Sequence, residues 1–292
     1  MKRKTVLIAG GRGFIGRSLS ILLADKGYEV YKLTRSPKKD SHIIWNPKKK
    51  FIDEKVLDNI DILVNLLGEN IGEGRWTEKR KKLLVDSRVD TTTFLCELSQ
   101  KMPKLSYYIG ASAIDCYEKD NKIHIESDPY GNSFLALLIK DWEDSTDKLP
   151  STIPVAKIRI PIVLSRKNGA LSKIKKLIKT GLGSPLGTGE QLMPWVHIDD
   201  LCRLFAFAID SNLDGVYNAH ANFNSNKTFM KAVAVRLNRP FFLPRVPSFL
   251  LKMILGEKAC IILNGSKVSN KKITDAGFIF QYTNLKTALN NC

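Results

Sequence analysis

The sequence predicts an α/β fold: a doubly wound parallel sheet followed by a smaller C-terminal lobe that would help to bind substrate. Three observations carry this expectation. Short β-rich runs alternate with amphipathic stretches through the first half of the chain, as in a parallel sheet covered by helices. Gly10, Gly13 and Gly16 fall directly after the first β-rich run and before a helical stripe. Near Lys167 the rhythm breaks into a loop-rich stretch, and after Asn222 it turns helical and proline-punctuated. Residues 1–222 therefore read as one domain, with an insert at about 167–195, and residues 223–292 as a small lobe.

The elements follow in order. Thr5–Ala9 reads as the first strand, and Ile15, Leu19, Leu22 and Leu23 recur at helical spacing until Gly27 stops them. Glu29–Leu33, Ile62–Leu66, Ser106–Ile109 and Ala156–Ile160 read as further strands. Thr77, an N-cap residue type, opens a helix predicted to run unbroken to about Gln100. Its inward stripe is Leu84, Arg88, Thr91, Leu95 and Leu98, and an arginine in such a stripe asks for an anion. Gly181 to Gly189 form a loop, and Val196-His197-Ile198 leads into a helix from Asp199 to Ile209. His197 and Asp199 read as the charge-anchored turn that opens it. A further helix is expected near Thr228–Leu237.

Composition narrows the class. Of 292 residues, 43% are hydrophobic and 26% charged, the balance of an ordinary globular protein. No apolar run approaches the ~20 residues that span a bilayer. The basic start, Met1-Lys2-Arg3-Lys4, precedes an apolar run too short for a signal peptide, so the expectation is cytoplasmic, without a membrane partner. Five scattered cysteines fit free thiols in a reducing compartment, and they lack metal-site spacing. The net charge of +17 is spread over Lys48–Lys50, Lys79–Lys82 and Lys173, Lys175 and Lys176, without aromatic interleaving. That favours a solvated basic surface over nucleic-acid binding.

The glycine run is Gly10-Gly11-Arg12-Gly13-Phe14-Ile15-Gly16. Between a strand and a helix, glycines so spaced allow a tight turn, close approach of backbone to a pyrophosphate, and close helix–strand packing. The following helix then aims its free N–H groups at the phosphates. This is a Rossmann nucleotide site. At the end of the second strand, where an NAD site places a carboxylate, the chain has Leu33-Thr34-Arg35-Ser36. Arg35 suits an adenosine 2′-phosphate and Arg12 can clamp it from the glycine loop, so NADP is the expected cofactor.

The glycine run resembles the fingerprint of extended short-chain dehydrogenases. Asn65-Leu66-Leu67-Gly68-Glu69-Asn70-Ile71, Arg75-Trp76-Thr77, Ser87-Arg88-Val89, Pro185-Leu186-Gly187-Thr188-Gly189 and Trp195 to Leu201 are similar to an atypical subgroup. That subgroup is the nucleoside-diphosphate-sugar epimerase-like family with a C-terminal domain of unknown function, which the tail from Leu255 to Phe278 also resembles. The resemblance implies cofactor contacts at the glycine loop, at Thr34 and Arg35, at Leu66, Leu67 and Gly68, and near Val163, with Arg88 beside the cofactor. Leu67, Cys116 and Pro161 depart from the residues usual in relatives, which are alanine, tyrosine and glycine.

Ordinary members of that superfamily use a serine or threonine with Tyr-x-x-x-Lys, the lysine easing proton transfer by the phenol. Ser112 matches the serine, but the helix that should carry the pair has Ala136 four residues before Lys140, so the dyad is absent. Tyr117 and Glu69 are the substitutes expected for proton transfer, with a packed aromatic and a structural cap as their plainer readings. The leading expectation is an NADP-dependent oxidoreductase or epimerase-like enzyme with a small polar substrate, which Ser112 would orient. Gln191, Met193 and Trp195 would roof the cleft or pack the lobe. The alternative is a non-catalytic NADP-binding sensor or scaffold, and the oligomeric state, a homodimer included, is left open.

Overall fold

In the computed structural model, which describes residues 3–292, the first strand β1 (Thr5–Ala9) is buried at all five positions. Met1 and Lys2 of the basic start lie outside the described residues. Successive β1 side chains enter two different cores. Val6 and Ile8 pack with Leu19, Leu23 and Phe205, whereas Leu7 and Ala9 pack with Leu33, Phe94 and Leu95. A strand covered on both faces reads as a continuous apolar run, and that is why TVLIA has no polar alternation.

The chain continues through α1 (Phe14–Asp25), β2 (Glu29–Thr34), β3 (His42–Asn46), β4 (Phe51–Ile52), β5 (Ile62–Asn65), α2 (Glu78–Asp86) and α3 (Val89–Ser99). Then come β6 (Tyr107–Ala113), β7 (Ile123–His124), α4 (Phe134–Asp144), β8 (Val155–Ile160), β9 (Ile162–Leu164) and α5 (Gly169–Lys179). The last third holds β10 (Leu192–His197), α6 (Ile198–Asp210), β11 (Gly215–Asn218), β12 (Asn222–Ser225) and α7 (Asn226–Arg236). It ends with α8 (Ser248–Leu255), α9 (Cys260–Leu263), β13 (Lys267–Val268), α10 (Lys271–Asp275) and α11 (Leu285–Asn290).

The main sheet has eight strands in the order β11-β8-β6-β5-β1-β2-β3-β4, all parallel except β4, which turns back on β3. Strand order reverses between β1 and β5, where Val6 pairs with Ile62. In such sheets the ligand crevice lies outside the carboxyl ends of the strands at that reversal. The chain places there the glycine loop after β1 and Leu66-Leu67-Gly68 after β5.

Three expectations change. The single helix from Thr77 to Gln100 is two helices. Thr77 does cap α2, accepting from Arg80 N, but the chain breaks at Ser87 and Arg88 before α3. Ser87 Oγ donates to Leu84 O, Thr91 Oγ1 donates to Ser87 O at 2.7 Å, and such side-chain bonds to the preceding turn compete with the helix. The stretch read as a loop-rich insert contains α5, whose Leu171 and Ile178 are fully buried, with Ile174 and Leu177 half-buried beside them. Met193 and Trp195 lie on strand β10 rather than on a loop, while Gln191 is the loop residue just before it.

A second sheet, β12-β10-β9, carries a second core of Leu171, Ile178, Trp195, Phe229, Val233 and Leu289. This core draws on segments from both sides of residue 222. The C-terminal segment is tied back by Asp200, fully buried on α6, which accepts from Gln281 N at 3.0 Å, Tyr282 N at 2.8 Å and Arg203 Nη1 at 2.6 Å. His197 caps α6 by accepting from Asp199 N, in agreement with the anchored turn. No helix of the described residues is long and apolar enough to cross a membrane.

Candidate functional site

The glycine loop is closed by Gly13 N donating to Gly10 O at 2.9 Å. Gly10 has φ +83°, and a Cβ there would lie 2.7 Å from Leu66 O; a Cβ on Gly16 would overlap the Gly10 carbonyl oxygen. Only glycine allows β1, α1 and the chain after β5 to approach so closely. Gly13 is the N-cap of α1 and no side chain caps it. The first turn of this helix, Phe14, Ile15 and Gly16, therefore presents free N–H groups to the crevice, as a phosphate requires.

At the end of β2, Arg12 Nη1 donates to Thr34 Oγ1 at 3.0 Å and to Ser36 O at 2.9 Å. This bridges the glycine loop to the segment bearing exposed Arg35. The surroundings are strongly cationic. Burial first, then Lys39 and Arg17, hold the Lys32 ammonium below its ordinary value. Burial, Lys32, Arg12 and Lys39 do the same to His42. Cations that lower one another's pKa make a site for an anion.

Beyond β5, Gly68 lies against Arg88, where an added Cβ would stand 3.0 Å from Cζ. Because the helix breaks at Arg88, its guanidinium folds back to donate to Leu84 O at 3.1 Å and Glu69 O at 2.9 Å, and it stacks 5.2 Å from the Trp142 ring. Its protein partners are carbonyls and a hydroxyl, and burial pushes it down to about 10. Glu69 turns outward to Arg80 at 3.4 Å with its side chain 45% exposed, so it is not buried beside a ligand. Val163 lies on β9 beside Gly169, and Leu66 and Leu67 are half-buried at the mouth of the crevice.

Ser112 and Tyr117 are brought together, but inside the protein. Ser112 faces Arg159 in the register of β6 against β8, and its hydroxyl donates to Glu143 Oε1. Arg159 binds Glu143 at two points, at 2.9 and 3.0 Å, and donates to Tyr117 OH at 2.8 Å. Tyr117 OH donates to Asn218 Oδ1 at 2.8 Å, and Tyr130 OH donates to Glu143 Oε2 at 2.7 Å. Tyr117 is 1% exposed, and burial pushes its phenol well above the ordinary tyrosine value, only partly opposed by Arg159. On α4, Ala136 is fully buried and Lys140 points outward to Asp144 at 2.5 Å. The positions of the missing dyad thus hold a core residue and a surface ion pair.

Glu143, Arg159 and Asn218 were not singled out from the sequence. One signal existed: an arginine inside the core strand VAKIRI demands a buried partner as much as Arg88 did.

A cavity of about 370 Å³ opens beside the carboxyl ends of β6 and β8, between Ile114, Ile162, Ile174, Met193 and Ile262. Asp115, Lys173 and Lys258 are the titratable side chains in its wall. Met193 lines it, whereas Trp195 is fully buried and donates to Asn224 Oδ1 at 2.8 Å, and Gln191 is bonded to Leu186 O and Ile262 O. Among the described residues, no group of three or more His, Cys, Asp or Glu side chains is placed to hold a metal ion.

Fold and crevice together define a Rossmann-type α/β protein whose helix α4 carries no Tyr-x-x-x-Lys pair. The chain belongs to the NAD dependent epimerase/dehydratase family, whose model matches residues 6–135; residues 246–292 match a domain of unknown function. Mouse epimerase family protein SDR39U1 is 34% identical, covering 97% of this chain and 98% of its own length. The crystal structure of human epimerase family protein SDR39U1 (isoform 2) with NADPH is 30% identical with a TM-score of 0.87, covering 98% and 97% of the two chains. UDP-glucuronic acid 4-epimerase from Bacillus cereus, in complex with UDP-glucuronic acid and NAD, shares the fold at 18% identity and a TM-score of 0.77, covering 99% and 97%.

Proposed function

We propose that this chain binds NADP(H) in the crevice between β1 and β5 and is an oxidoreductase or epimerase-like enzyme acting on a small molecule in the adjacent cavity. The observation that carries the reading is Arg12, fixed across Thr34 and Ser36 among cations that, among the described residues, have no carboxylate paired with them. The human relative solved with NADPH supports the same choice. The glycine loop and the α1 N-terminus hold the pyrophosphate, and Arg12 and Arg35 grip the 2′-phosphate. Leu66, Leu67, Gly68, Arg88 and Val163 line the path towards the cavity. Bound nicotinamide supplies or accepts the hydride. Ser112 and Tyr117 act as framework for the end of β6 in this reading, not as proton donors, because both hydroxyls are committed inside the protein. Asp115 is then the carboxylate in the cavity wall available to move a proton. Five free cysteines fit a reducing, cytoplasmic setting.

Titration with NADPH and NADH, followed by nicotinamide fluorescence, tests this. Tight NADPH binding with weak NADH binding is expected; equal or absent binding removes the reading. A second reading, a non-catalytic NADP-binding sensor or scaffold, draws on buried Ala136 and outward Lys140. It predicts the same nucleotide binding with no NADPH oxidation across a broad panel of carbonyls and nucleotide sugars.

A further inference from the structure

The cavity wall identifies a class of ligand, on the reading above that the cavity is the substrate site. We infer that its occupant is an amphipathic anion, an apolar chain or ring body with one carboxylate head. Ile114, Ile162, Ile174, Met193, Met230 and Ile262 make an apolar lining without arginine, histidine or tyrosine. Two cations stand in that lining. Lys173 of α5 donates to Gly72 O at 3.3 Å, and Lys258, in the turn Gly256–Ala259, donates to Gly74 O at 2.8 Å. Both ammonium groups therefore converge on one short loop, Gly72–Gly74. None of the nearby carboxylates pairs with either lysine: Glu257 pairs with Lys81 at 2.7 Å, Asp115 stands 3.7 Å from Lys119, and Glu73, in the loop itself, accepts from Asn70 Nδ2 at 2.8 Å. Lys173 and Lys258 are left with carbonyl partners alone among the described residues.

An apolar body fills such a lining without stranding polar groups, and one anionic head completes the two ammonium groups. A nucleoside-diphosphate sugar fits worse, because its diphosphate and hydroxyls need many donors. Asn226 already accepts from Leu186 N, and Ser266 already accepts from Lys119.

Calorimetric titration with dodecanoate, dodecanol and UDP-glucose tests the inference, with and without NADPH. Dodecanoate should bind one per chain and at least tenfold tighter than dodecanol, and UDP-glucose should not compete. The Lys173→Ala/Lys258→Ala variant should lose at least tenfold for dodecanoate and nothing for dodecanol. Ala170→Trp, at an exposed position lining the cavity, should weaken both chain ligands. A Lys48→Ala/Lys49→Ala variant, altered away from the cavity, should behave as wild type. UDP-glucose binding in place of dodecanoate, or equal loss in both lysine variants, overturns the inference. NADPH titration of the same samples separates this failure from failure of the cofactor reading, since dodecanoate binding needs no cofactor.

Discussion

Arg159 and Glu143 meet as a two-point ion pair inside the protein, Nε to Oε1 at 2.9 Å and Nη2 to Oε2 at 3.0 Å, with each side chain 2% exposed. Arg159 also lies between the rings of Tyr117 and Tyr130, 5.0 and 5.1 Å from their centroids. The pair joins α4 to β8 and gathers Ser112, Tyr117, Tyr130 and Asn218 around it. In this chain α4 therefore turns Glu143 to the sheet, where a dehydrogenase of the ordinary kind would offer a tyrosine and a lysine to its ligand.

Breaking that pair from one side leaves a buried charge without its partner. Glu143→Gln and Arg159→Met are each expected to cost about 3–5 kcal/mol of stability. The double variant should lose clearly less than the sum, because neither charge is then stranded. Urea denaturation of the three proteins measures this, and additive losses would show that the pair is not a coupled unit.

Tyr117→Phe removes a hydroxyl shared by Arg159 and Asn218. The expected loss is about 1–3 kcal/mol of stability, with NADPH affinity unchanged within about twofold because the phenol is buried and bonded to Arg159 and Asn218 inside the protein. Ser112→Ala should behave alike, leaving Glu143 Oε1 with Arg159 Nε as its remaining donor. Unaltered stability with abolished turnover would return Tyr117 to proton transfer.

The glycines separate loop sterics from loop strain. A methyl at Gly16 overlaps Gly10 O and comes within 2.7 Å of Gly11 Cα, both backbone atoms of the phosphate loop. Gly16→Ala should weaken NADPH more than tenfold. Gly27, at φ +91° with nothing within 4 Å of an added Cβ, carries strain only. Gly27→Ala should cost about 1 kcal/mol and leave NADPH affinity as it is.

What the sequence made legible was local. The first βαβ unit stands where expected because its strand, glycine loop and helix are contiguous and each has its own pattern. Side-chain hydrogen bonds do not alter hydrophobic periodicity, so the break at Ser87 and Arg88 was hidden by a stripe that continues through it. Helix α5 was obscured by lysines between Leu171, Ile174 and Ile178, although that spacing is helical. The cavity was least accessible, because Gly72, Ile114, Lys173, Met193 and Lys258 come from segments far apart in the chain. The Arg159–Glu143 network needed one further step, asking of the strand what had been asked of the helix.

His220 makes stability depend on pH. It is 3% exposed, and burial holds it near 4, below its ordinary 6.5. Between these values the unfolded chain binds a proton that the folded protein does not. Stability is therefore complete above about pH 6.5 and falls as the pH drops towards 4. Burial lowers His197 as well, which acts in the same direction. From pH 7 to pH 5 the wild type should lose about 2 kcal/mol more than His220→Gln. Denaturation at the two pH values checks this, and equal losses would place a free proton acceptor near His220.

Arg12 should set the choice between the two nicotinamide dinucleotides. Its Nη1 bonds to Thr34 Oγ1 and Ser36 O, which hold the guanidinium at the end of β2 before any ligand arrives. A phosphate there gains a preoriented, charge-assisted contact, and a bare ribose hydroxyl gains little. Arg12→Ala should therefore weaken NADPH by about tenfold to a hundredfold, from the roughly 1.5–3 kcal/mol of such a bond, and change NADH by less than about threefold. Arg35→Ala should give a smaller loss, because the exposed Arg35 is not held in place by bonds of this kind and must be ordered by the phosphate. If Arg12→Ala weakened both nucleotides equally, the arginine would be bracing the glycine loop, and selectivity would have to come from Lys32, Lys39 and Arg17 around it.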